Sequence, residues 1–239
     1  MRLTSPAAFA AAVDAYGFDD VRFDAHAHAL ARLERSLAET GIVLVGEPHG
    51  VRETPSVLHA LAQALGTRAL AFEWSHEEAS PFLNPPFDFE EMWRLPPTAE
   101  LFCGDGRVTP GHFALVRRLR PDSVIAYDRL DPEPLPPWHV RDRELAERLL
   151  AEWDGRTPLL VLTGAFHAQL SAADGEPMAA HLARARPGLA PAMLRYEHGS
   201  CWSRGRTHDV SGPIPDAPVV LRLPQATPAD VPGQSSYTS

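Results

Sequence analysis

The stretch Ile42-Val43-Leu44-Val45-Gly46-Glu47-Pro48-His49-Gly50 decides how the rest of the chain is read. Four consecutive apolar residues, most of them β-branched and none alternating with polar ones, specify a short strand buried on both faces. Gly46 lets the chain turn off that strand, and Glu47 and His49 follow at its carboxyl end. Similar apolar runs recur at 69–72, 124–127, 159–162, 192–196 and 219–223. Between them Val57, Leu58, Leu61 and Leu65 repeat at helical spacing, as do Phe113, Val116 and Leu119, and then Leu145, Leu149 and Trp153. Strands alternating with helices predict an α/β fold: a mostly parallel β-sheet with helices on both faces, joined by right-handed crossovers. An antiparallel placement is open for the last strand.

Outward from this centre, Ser5-Pro6 opens a helix through Ala15, and Asp24 caps a second that ends before Gly41. The segment 80–110 has no clean period, and its prolines (Pro81, Pro85, Pro86, Pro96, Pro97) and aromatic residues mark an insertion, read as a lid near the cleft. From Pro224 onward the chain is rich in Pro, Gln and Ser, which predicts a single domain over 1–223 and a disordered tail over 224–239.

Composition narrows the function. The 239 residues, 44% hydrophobic and 22% charged, suffice for one substantial core. A formal net charge of −9 argues against nucleic acid or an anionic membrane as partner, since both demand clustered positive charge. Every basic residue is Arg; with no Lys, Schiff-base chemistry, a phosphate-loop lysine and a carboxylated metal-bridging lysine are excluded. Cys103 and Cys201 are too few for a disulfide scaffold or a four-cysteine zinc site. With no long apolar span and no basic, apolar leader, a cytoplasmic location is expected. A small molecule is the expected partner; the oligomeric state is not legible.

In open α/β sheets ligands bind beyond the carboxyl ends of the strands. The residues there form a short set: Gly46-Glu47-Pro48-His49, Glu73, Asp128-Arg129 and Gly164-Ala165-Phe166-His167. Two Gly-x-x-His motifs thus follow two strands, with Glu47 and Glu73 at equivalent ends. A carboxylate against an imidazole fixes its tautomer and raises its basicity, as a general base acting on water requires. Two acids and two imidazoles on one edge would be costly to bury without a task.

These residues carry a resemblance. The segment 45–53 resembles the Gly-Glu-x-His-Gly-x-x-Glu signature of erythromycin esterase-like proteins, in the superfamily that includes the ChaN-like haem-binding lipoproteins and the Tiki/TraB proteins. Glu73, Arg141-Asp142 and Gly164-Ala165-Phe166-His167 match in the same order, over roughly 42–168. The esterase branch implies a metal-independent hydrolase: His49 activates water, Glu47 and Glu73 orient it, and His167 with Arg141 binds substrate or stabilises the anionic intermediate. Glu53, the signature's last acid, joins the substrate-binding candidates. The Tiki branch implies instead a divalent metal held by His49, His167 and Glu73. A non-catalytic binder of a small molecule or haem is the third alternative. The chain is shorter than the antibiotic-inactivating esterases and lacks the lipoproteins' leader, so neither a macrolide substrate nor periplasmic haem capture is expected.

Further candidates have plainer readings beside them. His76 follows Glu73 closely enough to line the cleft or to sit in a solvated loop. Asp105-Gly106-Arg107 is a turn signal from which Arg107 can reach substrate. Asp128 ends a strand, and Arg141 begins a helix, where a positive charge opposes the dipole and requires an acid or ligand. Cys201-Trp202 and Glu197-His198 are candidate cleft wall. Asp24-Ala25-His26-Ala27-His28 resembles the His-x-His of amidohydrolases but is read as a capped helix with surface histidines.

Overall fold

A computed structural model describes residues 1–23, 26–129, 136–173, 175–210 and 217–233. The apolar runs become strands β2 (Ile42–Glu47), β3 (Ala69–Ser75), β4 (Ser123–Asp128), β5 (Leu159–Gly164), β6 (Ala192–Ser203) and β8 (Val219–Ala226). They form one parallel sheet in the order β4-β3-β5-β2-β6, with β8 beyond β6. The chain starts mid-sheet at β2, builds outward through β3 and β4, and returns to insert β5 between β3 and β2. The last strand is therefore parallel. The antiparallel partner is a short strand, β7 (Arg206–Asp209), folded back on the end of β6.

Alternate strand residues feed two cores, as a sheet covered on both faces requires. Val43, Val45, Leu70, Phe72, Leu160 and Leu162 face the helices α1 (Pro6–Ala15), α2 (Ala27–Thr40), α3 (Thr54–Leu65) and α6 (Pro110–Leu119). Ile42, Leu44, Ala71, Tyr127 and Val161 face α7 (Trp138–Glu152) and α8 (Met178–Ala185). The helix ends follow local chemistry: the Ser5 hydroxyl accepts the Ala8 N–H, and Gly41 closes α2 in the left-handed region at φ 78°. Asp24, expected to cap α2, lies outside the described residues. No helix among the described residues is long and apolar enough to cross a membrane.

Two expectations about the periphery change. The segment 80–110 is mostly packing rather than a lid: Phe82, Met92, Leu101 and Phe102 are buried, Phe89 and Trp93 ring Phe9, and Phe89 also meets Phe113. Its short helix α5 (Phe89–Met92) packs on α1, whereas α4 (His76–Ala79), just before the segment, packs on β3 and β4. The aromatic residues that blurred its periodicity are what hold it to α1 and α6. Nor does the chain leave the fold at Pro224. Strand β8 continues to Ala226 with Leu221, Leu223 and Ala226 buried, so Pro224 and Gln225 are exposed residues of a strand rather than tail. Beyond it Ala229 and Val231 are buried, and β9 (Val231–Pro232) pairs with β1 (Arg2–Leu3). Positions 234–239 lie outside the described residues.

Candidate active site

Register brings the two Gly-x-x-His motifs together. Gly46 pairs with Thr163 and Glu47 with Gly164 across β2 and β5, and β3 flanks β5 in step, Phe72 against Leu162. Glu47, Gly164 and Glu73 therefore end at nearly one level, and the turns after β2 and β5 swing His49 and His167 over the same edge. The cleft above them has a volume of about 550 Å³ and is lined by Glu47, His49, Glu73, Asp105, Arg107 and His167, with Trp138, Phe166 and the β6–β7 hairpin above.

Glu73, only 3% exposed, is the hub. Its Oε2 accepts the Thr163 hydroxyl at 2.8 Å and the Gly164 N–H at 2.7 Å. His167 Nε2 lies 3.4 Å from its Oε1, Arg107 Nη1 3.6 Å from the same oxygen, and His49 Nε2 3.9 Å from Oε2. Burial alone would raise the Glu73 pKa, but the charges of His167, Arg107 and His49 hold it well below the usual carboxylate range. Glu73 is an anion.

The imidazoles differ in their partners. Burial pushes His167 towards neutrality, yet Glu73 on one side and a close Nδ1 contact to Asp142 on the other raise its pKa from 6.5 to about 10. With a carboxylate at each nitrogen, His167 is a fixed imidazolium. His49 Nδ1 donates to Glu47 Oε1 at 3.1 Å, which leaves Nε2 as the basic atom. Its side chain is 20% exposed against 6% for His167. Burial lowers the His49 pKa; the Glu47 hydrogen bond and the Glu73 charge outweigh that and leave it above 6.5. Gly164 makes room for this atom, since a Cβ there would stand 3.0 Å from His49 Nε2.

Arg107 reaches the floor because two glycines let backbones meet. Gly50 (φ 80°) and Gly106 (φ 96°) touch, and the Gly50 N–H donates to the Gly106 carbonyl at 3.1 Å; a Cβ on Gly50 would lie 1.9 Å from the Trp202 oxygen. Arg107 Nε binds Asp105 at 2.7 Å, and its Nη1 binds Glu100 and Asp128, each at 3.0 Å. Burial raises the Glu100 carboxyl to about 7, although Arg107 opposes it.

His49, Glu47, Glu73, His167 and Arg107 thus converge as read from the sequence. Arg141 and Asp128 lie one layer back: Arg141 Nη2 contacts Asp128 Oδ2 at 2.6 Å, Asp128 is 1% exposed, and neither lines the cleft. Arg141 and Arg107 share that acid, and Arg107 is the guanidinium that lines the cleft. Glu53 and His76 do not line the cleft. Glu53 accepts the Thr227 N–H at 2.8 Å and hydroxyl at 2.6 Å, fastening the C-terminal segment. His76 Nδ1 donates to the Ala126 carbonyl at 3.2 Å, bracing α4 on β4. Cys201 does line the cleft; Glu197 and His198 do not. Asp142 and Asp105 were legible only as neighbours of Arg141 and Arg107, and Arg204, Arg206 and His208 gave no motif at all.

The metal alternative fits poorly. Among the described residues no group of three His, Cys, Asp or Glu is placed to hold an ion. Glu73 is engaged by Thr163, Gly164 and the neighbouring Arg107, and both His167 nitrogens are turned to carboxylates, whereas a ligand must offer a lone pair to the metal. A floor of ion pairs likewise offers no apolar plate for haem.

Fold and site together define an α/β protein with an acid–imidazole cleft at the carboxyl edge of its parallel sheet. Comparison with protein-family models, with curated proteins and with solved structures gives no match.

Proposed function

We propose that this protein is a hydrolase that cleaves an ester or related carbonyl bond of a small molecule, with His49 as general base, and that it belongs with the erythromycin esterase-like proteins its motifs resemble. One observation carries the reading: His167 and His49 both approach Glu73, yet His167 has a second carboxylate, Asp142, on its other nitrogen, whereas His49 has Glu47 on Nδ1 and keeps Nε2 at the cleft. Environments that push two titratable groups apart divide acid from base roles.

In this scheme His49 Nε2 takes a proton from water as the water oxygen bonds to the carbonyl carbon. The electron pair displaced onto the carbonyl oxygen forms a tetrahedral anion, stabilised by the charges of Arg107 and His167. Collapse expels the alcohol oxygen, which receives the proton from His49 Nε2. Acid and alcohol leave, the acid gives its proton to solvent, and His49 is again neutral. Glu47 keeps the base in the right tautomer, and Asp142 keeps His167 charged.

The test starts from soluble metabolites that raise the melting temperature of the wild type. Turnover of such a compound in ¹⁸O-water should place one ¹⁸O in the acid product, and His49→Ala should slow it by about 10²- to 10⁴-fold. Conversion without ¹⁸O uptake, as in ring closure or elimination, overturns hydrolysis.

A further inference from the structure

The walls above the floor are unlike each other, and the proposed function leaves both unused. On one side the β6–β7 hairpin turns a single face inward. Its register pairs Cys201 with His208 and Ser203 with Arg206, and all of these line the cleft together with Arg204 from the turn. The ribbon's acid, Asp209, pairs with Ser200 and does not line the cleft. In a chain of net charge −9, this inward face carries two guanidiniums, one imidazole and no carboxylate. Among the described residues neither Arg204 nor Arg206 makes an ion pair, whereas the floor cation Arg107 is enclosed by acids.

The hairpin is also held in place. The Trp202 N–H donates to the Gly50 carbonyl at 3.0 Å, and the Arg204 N–H donates to the Gly104 carbonyl at 2.8 Å. The loops that carry His49 and Arg107 therefore fix the hairpin, so its cations stand at a set place relative to the reacting nitrogen. Across the cleft, Trp138 and Phe166 are 50% and 69% exposed, large apolar rings left open to solvent beside the floor. The Trp138 ring lies 5.0 Å from that of His167, which aims it at the same space.

We propose that the substrate carries an anionic group, a carboxylate or a phosphate, on one side of its scissile bond and a planar apolar group on the other. Arg204, Arg206 and His208 bind the first; Trp138 and Phe166 stack on the second. This rests on the hydrolase reading for the bond between them, but the recognition of charge does not. Guanidiniums present a fork matched to either oxyanion, and aromatic faces accept planar groups with little loss of rotamer freedom.

Three phenyl esters of similar length test it: the monoester of succinate, the ester of phosphonoacetate, and the uncharged pentanoate. The wild type should hydrolyse one of the anionic esters with at least about tenfold higher kcat/KM, since a charged hydrogen bond contributes about 1.5–3 kcal/mol. Whichever anion leads names the source, carboxylate or phosphate. The preference should fall by roughly tenfold in Arg204→Gln and in Arg206→Gln, mainly through KM. Both side chains are exposed, so the variants should fold. Unreactive 3-phenylpropanoate and 2-phenylethylphosphonate supply the independent arm. One of them should raise the melting temperature of the wild type and of His49→Ala, but not of the double arginine variant, while 3-phenylpropanamide should raise none. If that pattern holds while no ester is cleaved, the anion site stands and the hydrolase reading falls. If esters are cleaved without charge preference, or the double variant keeps the wild-type preference, the inference is wrong.

Discussion

Replacing His167 by Gln should flatten the loss of stability that the wild-type protein suffers as pH climbs from 6.5 to 10. The His167 pKa is raised from 6.5 to about 10 by Glu73 and Asp142 against the cost of burial. A group whose folded pKa is raised binds its proton more tightly in the native state. Its contribution is therefore complete below 6.5 and is lost as pH rises through about 10. At about 1.4 kcal/mol per unit, linkage puts the full contribution at up to about 5 kcal/mol, of which about 3 kcal/mol remains at pH 8. Glu73 responds in the opposite window, because its lowered pKa gives stability that is lost only as acid protonates it. Urea unfolding followed by tryptophan fluorescence at pH 6, 8 and 10 measures both proteins. The difference between wild type and His167→Gln should be several kcal/mol at pH 6 and should shrink steadily towards pH 10. Groups remote from His167 cancel in that difference; Glu73 does not, because the variant removes the charge that lowers its pKa, and its own loss of stability on acidification moves to higher pH. Parallel curves, agreeing within about 1 kcal/mol at every pH, would show that His167 is not a buried cation and would remove the division between the imidazoles.

Three substitutions probe the surrounding geometry. Gly164→Ala sets a methyl 3.0 Å from His49 Nε2, a few tenths of an ångström too close, so His49 must shift; kcat/KM should fall by up to about 10²-fold, with a melting temperature lower by only a few degrees. Gly50→Ala combines a left-handed φ of 80° with a Cβ 1.9 Å from the Trp202 oxygen. It should cost several kcal/mol in urea titrations, about 1–2 from the backbone alone, by prising the hairpin from the His49 loop. Glu53→Ala should lose about 1–3 kcal/mol from the two hydrogen bonds to Thr227 yet keep the wild-type kcat/KM, since it fastens the C-terminal segment; a large drop in activity would return it to the site.

The strands and their carboxyl-end residues were legible because a strand buried on both faces leaves an unbroken apolar run, and polar residues just after it stand out. That logic found Glu47, His49, Glu73 and His167. It read Arg141 and Asp142 together at a helix start but gave the role to Arg141, since adjacent helix residues point in different directions and only coordinates show that Asp142 is the one that meets His167. That Glu53 turns from the cleft to Thr227 was not legible, because Thr227 lies 174 positions along the chain, beyond any local motif. Of the hairpin only Cys201 was legible as cleft wall, for a related reason: Cys201, Ser203, Arg206 and His208 share a face only through cross-strand register, and none of them makes an apolar pattern. The boundary at Pro224 failed because exposed residues on an edge strand have the composition of a tail.

The account depends most on His49 Nε2 being the atom that takes the proton. The measurement that reaches it is kcat/KM against pH for a hydrolysed substrate, wild type beside His49→Ala. With the His49 pKa above 6.5, wild-type activity should rise with pH through a midpoint above that value. In His49→Ala the rising limb should vanish and activity should fall by about 10²- to 10⁴-fold. The same rising limb surviving in His49→Ala would place the base elsewhere.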